Sequence, residues 1–96
     1  MKKETIKFKK AAEMFKAMGH PKRITIIELL TKSKRMSVTE IHKALKIRQP
    51  LASYHLNSLK DKGVLKSKHV KQNNYYSISH PGIKNAVKSI LNASKE

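Results

Sequence analysis

The stretch Ser37-Val38-Thr39-Glu40 restricts this chain more than any other. A serine three residues ahead of a glutamate, just before an apolar series, is a capping box. The Ser37 hydroxyl accepts from the Glu40 N–H, and the Glu40 carboxylate accepts from the Ser37 N–H. A helix must therefore start here, with Val38, Ile41 and Leu45 inward and an end near Lys46. The short turn Lys46-Ile47-Arg48 leads into a further helix from about Gln49 to Lys62. Ala52, Leu56 and Leu59 form its apolar stripe at spacing four then three, and Gly63 closes it. Two short helices joined this tightly make a helix-turn-helix over about residues 37–62. After Gly63 the period changes to two. Leu65, Ser67 and His69 alternate with Lys66 and Lys68 as a strand with one wet face. Lys71-Gln72-Asn73-Asn74 reads as a turn and Tyr75-Tyr76-Ser77-Ile78 as the returning strand, a wing over about residues 64–79.

Amphipathic helices flank this unit. From Thr5 to Met18, Phe8, Ala11, Ala12, Phe15 and Met18 recur at helical spacing, with Met14 beside them. Gly19 stops that helix and His20-Pro21 restarts the chain. Ile24, Ile27 and Leu30, widened by Ile26 and Leu29, line a second helix that fades over Thr31–Arg35. His80-Pro81 opens the last helix, with Ile83, Ala86, Val87, Ile90 and Leu91 on one face and a tail, Asn92–Glu96, expected to fray. The predicted fold is mostly α with a small β-hairpin wing. It is a winged helix-turn-helix in the order α-α-α-α-β-β-α, one domain over residues 1–96. A chain of 96 residues buries a small core and gains from a partner chain. The terminal helices, about residues 5–18 and 81–92, therefore predict a homodimer with Phe8, Ala11, Phe15, Ile83, Val87, Ile90 and Leu91 at the seam.

Charge narrows the partner. Twenty-two Lys and Arg against six Asp and Glu give +16, a field that favours nucleic acid first and an anionic membrane second. The competing explanation is lysine drift in an AT-rich genome, since only Arg23, Arg35 and Arg48 are arginine. The excess is spread along the chain, so charge alone picks out no face. With no cysteine there are no disulfides, thiolate metal sites or cysteine nucleophiles. No apolar run is long enough to span a bilayer, and the basic N-terminus lacks the apolar stretch of a secretory signal. A cytoplasmic, nucleoid-associated protein without a membrane partner is the expectation. His20, His42, His55, His69 and His80 include no pair at i, i+4 and no accompanying carboxylate cluster, so no metal site is predicted. No phosphate loop, carboxylate pair or activated nucleophile is present either, so neither an enzyme nor a cofactor is expected.

Double-stranded DNA is the predicted partner, read by the second helix of the pair. Its apolar stripe leaves Gln49, Pro50, Ser53, Tyr54 and Asn57 outward as candidate base contacts. Gln bonds adenine bidentately, Ser donates or accepts, and a Tyr ring packs on a thymine methyl. Arg48 is placed to clamp a phosphate at the helix start. Lys66, Lys68, Lys71, Gln72 and Asn73 on the wing, with His55 and Lys60, complete the expected backbone contacts.

These residues resemble the ArsR/SmtB family of bacterial winged-helix repressors over roughly residues 8–92. Met18-Gly19-His20-Pro21-Lys22-Arg23-Ile24 is similar to the family's LGHPTRL junction. Arg48-Gln49-Pro50-Leu51-Ala52-Ser53-Tyr54-His55-Leu56 is similar to its SQPAVSHHL recognition helix. Gly63 to Lys68, continued by Asn74 to Ile78, is similar to GLVRSRREGRWVYYSL. The resemblance implies a homodimer joined by the first and last helices, an operator whose occupation blocks transcription, and base contacts at Gln49, Ser53 and Tyr54. Departures are specific. Arg48 replaces the capping serine, Tyr54 replaces the usual His or Arg, and Lys71 replaces the wing-tip glycine, leaving Asn73 or Asn74 to supply the left-handed residue. The family's cysteine site has no cysteines here. Its last-helix metal site falls on His80, Gly82, Ala93 and Glu96, two of which cannot ligate. Three alternatives follow for control of the protein: a small-molecule effector, a protein effector, or no effector, with control by its own concentration. Two alternatives stand beside a homodimeric repressor at an inverted-repeat operator. One is a sequence-nonspecific nucleoid-type binder, separated by its specificity ratio at fixed salt. The other is a protein-interaction module, separated by indifference to changes at Gln49 and Ser53.

Overall fold

The computed structural model describes residues 2–95. In chain order it contains α1 (Lys2–Met18), α2 (Pro21–Ser33), β1 (Met36–Ser37), α3 (Val38–Leu45), α4 (Gln49–Asp61), β2 (Leu65–Val70), β3 (Asn73–Ile78) and α5 (Pro81–Ala93). All five helices and the hairpin expected from periodicity are present. The order is corrected by one element, β1, which lies ahead of the helix-turn-helix and makes the sheet three-stranded in the order β1-β3-β2. Both pairings are antiparallel. Met36 faces Tyr76 and Ser37 faces Tyr75, while Leu65 faces Ile78 and Val70 faces Asn73. A two-residue strand cannot display a period, so nothing local announces it. It forms because β3 has a second edge to satisfy.

Caps act at both ends of the helix pair. The Glu40 N–H donates to Ser37 Oγ at 3.1 Å, and the Ser37 N–H donates to Glu40 Oε1 at 2.8 Å. Ser37 is at once the cap of α3 and a residue of β1, so it ties the helix-turn-helix to the wing. Ser37→Ala should lower stability by about 1 kcal/mol, read as a lower urea midpoint at unchanged slope. The two His-Pro junctions share one device. His20 Nδ1 accepts from the Lys22 N–H at 3.3 Å, and His80 Nδ1 accepts from the Gly82 N–H at 2.9 Å.

The turns show where the chain bends against its own preference. Lys46, at φ 57 and ψ 44, takes the left-handed conformation between α3 and α4, and Gly63, at φ 79, does so after α4. At the wing tip the expectation is corrected. The loop is only Lys71-Gln72, and its positive-φ residue is Lys71 itself, at φ 58. Asn73 and Asn74 are paired in β3 instead. A two-residue loop demands positive φ at its own first position, whatever residue stands there.

Ile26, Ile27, Ile41, Leu56, Leu59 and Val64 are fully enclosed, and Leu30, Leu65 and Tyr76 close the centre around them. Ile83 and Val87, expected at a dimer seam, belong to this same core in the protomer, 7% and 8% exposed. The α5 stripe is wide enough to be divided. Its inner half packs against α2, and Ile90 and Leu91 remain outside. Phe8 and Phe15 on α1 are exposed as well, whereas Ala11 is half-buried. No helix among the described residues is long and apolar enough to cross a membrane.

Candidate nucleic-acid interface

Helix α4 is two-sided. Ala52, His55, Leu56 and Leu59 are buried, and Gln49, Pro50, Tyr54, Asn57 and Lys60 are exposed, with Ser53 half-buried at the edge. Leu51, 43% exposed, joins the outer face and was absent from the candidates. It sits one residue ahead of the stripe, so its apolar character is free for a partner such as a thymine methyl. Arg48 precedes the helix in extended conformation without a side-chain cap, and its carbonyl accepts from the Leu51 and Ala52 N–H groups at 3.1 Å. Its exposed guanidinium thus stands at the positive end of the helix dipole, a suitable place for a phosphate.

His55 corrects an expectation. It is 3% exposed and cannot meet a DNA backbone. Three residues after Ala52 and four before Leu59, it lies within the buried stripe, a spacing visible in the sequence. Its Nδ1 accepts from Arg23 Nε at 2.9 Å, and its ring lies 4.8 Å from that of His20. Burial above all, then the positive charges of Arg23, His20 and Lys22, holds its pKa below the ordinary histidine value. The ring is therefore neutral at pH 7, and its Nδ1 lone pair is the acceptor. Arg23, missing from the candidates, also donates from Nη1 to the Ala17 carbonyl at 3.1 Å, and its guanidinium lies 5.5 Å from the centre of the Tyr54 ring.

The wing is fastened to α4 by the Tyr76 hydroxyl, which donates to Asn57 Oδ1 at 3.4 Å. Burial raises the Tyr76 pKa, so the hydroxyl keeps its proton. This long bond engages the Asn57 oxygen and leaves the amide NH2 as the group to present outward. On β2, Lys66 and Lys68 alternate with the buried Leu65 and point away from the core. Lys68 faces Tyr75 across the ladder, and the Arg35 guanidinium lies 4.6 Å over that Tyr75 ring. Arg35 thus adds a cation to the basic side of the wing, which only the approach of β1 to β3 reveals. Lys71, Gln72 and Asn73 are exposed at the tip. The described residues hold two ion pairs, Lys32 to Glu28 at 3.5 Å and Lys62 to Glu13 at 3.9 Å. Neither engages a wing lysine.

No group of three or more His, Asp or Glu among the described residues is disposed to hold a metal. His80 is spent on capping α5, and Glu96 lies outside the described residues.

Comparison with known proteins agrees with this geometry. Residues 20–67 match the model of the family described as bacterial regulatory protein, arsR family. An HTH-type transcriptional regulator of Methanocaldococcus jannaschii is 40% identical over 84 residues, covering 88% of this chain and 94% of that one. The transcriptional repressor PagR of Bacillus anthracis is 39% identical over 77 residues, covering 80% of this chain and 77% of that protein. The PagR crystal structure superposes with a TM-score of 0.83, covering 90% of this chain and 98% of that one at 35% identity. A homodimeric winged helix-turn-helix DNA-binding domain of Mycobacterium bovis shares the fold at a TM-score of 0.88 and 20% identity, over 98% of this chain and 86% of that one.

Proposed function

Since this chain belongs to the arsR family of transcriptional regulators, with a winged helix-turn-helix DNA-binding fold, we propose that it is a homodimeric, sequence-specific repressor. In this reading α4 enters the major groove of an inverted-repeat operator. Gln49, Pro50, Ser53, Tyr54 and Asn57 meet base edges, with Leu51 beside them. Arg48, Lys60, Lys66, Lys68, Lys71, Gln72 and Asn73 meet the flanking backbone. The observation that carries the reading is the division of α4. Its apolar side is locked into the core, and its polar side stands free next to a lysine-bearing wing. Repression is the finer part of the proposal, supported by similarity to PagR, which is a repressor.

The dimer is proposed from four of the apolar side chains that the protomer leaves outside: Phe8, Phe15, Ile90 and Leu91. They lie on the terminal helices, with half-buried Ala11 between the two phenylalanines on α1. A two-fold axis through that face sets two copies of α4 about one helical turn of DNA apart, roughly 34 Å. Residues 1–96 then act as one unit, cytoplasmic and on the nucleoid.

The test is fluorescence anisotropy on a duplex selected by the protein from a random pool, beside a scrambled duplex, across a salt series. A preference of about a thousandfold or more supports a specific regulator. Gln49→Ala should cost about 1–3 kcal/mol on the selected duplex and relax the preference at one base. Equal affinities with a steep salt slope favour the nonspecific reading, which the charge of +16 also serves. Lys68→Ala should weaken both duplexes alike and reduce the salt slope by about one unit.

A further inference from the structure

Three elements meet behind the outer face of α4. The His20 ring caps α2, the Ala17 carbonyl belongs to the last turn of α1, and His55 is the buried polar side chain of α4. Arg23 joins them. Its Nε is 2.9 Å from His55 Nδ1, its Nη1 is 3.1 Å from the Ala17 oxygen, and its guanidinium lies against Tyr54. Tyr54 is 61% exposed, so one of its neighbours is this cation and the rest of its ring is open to a partner. The Tyr54 and His55 rings are themselves 5.6 Å apart.

We propose that Arg23 is a specificity-determining positioning residue. Anchored on the Ala17 carbonyl and on His55 Nδ1, it forms the floor under Tyr54 and sets where that ring meets a base pair. The proposal rests on the reading of α4 as the helix in the major groove. Arg23 touches no base in this arrangement and acts through Tyr54. An arginine is required because two donors diverge from one planar group, Nε toward His55 and Nη1 toward Ala17, while its charge stays 5.5 Å from the centre of the Tyr54 ring. An ammonium supplies the charge without that plane.

The arrangement depends on protons at one point. His55 must accept from Arg23, and imidazolium accepts nothing. From α2 and its cap, His55 is faced by His20, Lys22 and Arg23. From α4 it meets the Tyr54 ring, and Glu13 and Lys16 of α1, Asp61 of α4 and Lys62 just after it border the cleft that Arg23 and Tyr54 line. A proton on His55 would put two cations at hydrogen-bond distance and expel the guanidinium from its seat. The folded state therefore holds that proton less tightly than the unfolded chain. The stability it contributes is complete above the ordinary histidine value near 6.5 and is lost as pH falls through the lower, folded-state value.

The experiment uses the full chain and compares the selected duplex with the scrambled one at fixed salt. Arg23→Lys should lower the ratio of the two affinities about tenfold or more while leaving binding to the scrambled duplex unchanged. A folded Arg23→Lys protein with the wild-type ratio overturns the proposal. So does one that weakens both duplexes equally, since that is the mark of a merely structural role. His55→Asn places a non-titrating oxygen near the site of Nδ1. As pH falls from above the ordinary histidine value through the lower, folded-state value, the wild-type ratio should fall, whereas that of His55→Asn should hold. His55→Asn keeps every other histidine, so a difference between the two profiles belongs to His55. Parallel pH profiles overturn the proposal, and this arm decides alone if Arg23→Lys does not fold. Gln49→Ala on the same duplexes separates the two failures. If it lowers the ratio and Arg23→Lys does not, only the role of Arg23 falls. If neither variant lowers it, the assignment of α4 falls too.

Discussion

Ile90→Glu should give a folded protomer that sediments as a single species near 11.0 kDa and binds the selected duplex about a hundredfold to ten-thousandfold more weakly. Ile90 is 60% exposed in the protomer, so a carboxylate there costs the isolated fold almost nothing. In the proposed dimer the same position is covered by apolar side chains of a second copy. An unpaired carboxylate in that seam costs several kcal/mol on each side of the two-fold axis. Operator affinity falls with the dimer, because each half-site is then bound without the effective concentration supplied by the other. Val87→Glu would not test the same thing. Val87 is 8% exposed within the core, so that change unfolds the protomer. An Ile90→Glu protein that remains dimeric would place the seam on another face.

Leu56→Ala should destabilise the fold by about 2–5 kcal/mol. Leu56 is fully buried, and α4 hangs its outer face on that contact together with Leu59 and Ala52. Domains of this size are stable by about 5–15 kcal/mol, so the loss is a large share of the total. Thermal unfolding should show it as a midpoint lower by roughly 4–8 °C for each kcal/mol lost. Wild type and variant must be compared at one protomer concentration, because a dimer's stability depends on it. A loss below about 1 kcal/mol would mean that α4 does not rest on the core through this side chain.

Much of this molecule is legible residue by residue. The start of α3 follows from Ser37 and Glu40, the starts of α2 and α5 from His-Pro pairs, and the end of α4 from Gly63. Each is a contact between residues at most three apart, so its partners are written side by side. The outward residues of α4 follow equally from the stripe Ala52, Leu56 and Leu59. At His55 polarity and spacing point in opposite directions, and the spacing decides. Position 55 is buried by the helix's geometry, and Arg23 makes that burial tolerable by supplying a donor.

The sequence by itself determined the helices, the hairpin, their order and the polar side of α4, because these depend on periodicity and on local hydrogen bonds. Tertiary structure alone decided the rest. It paired Met36 and Ser37 with β3, and it brought Arg23 to His55 across 32 positions and Arg35 to Tyr75. It also divided the α5 stripe between Ile83 and Val87 inside and Ile90 and Leu91 outside. A stripe shows that a helix has an apolar side, while its neighbours decide how much of that side they cover. The same holds for an isolated polar residue, whose partner lies wherever the packing of other elements happens to deliver one.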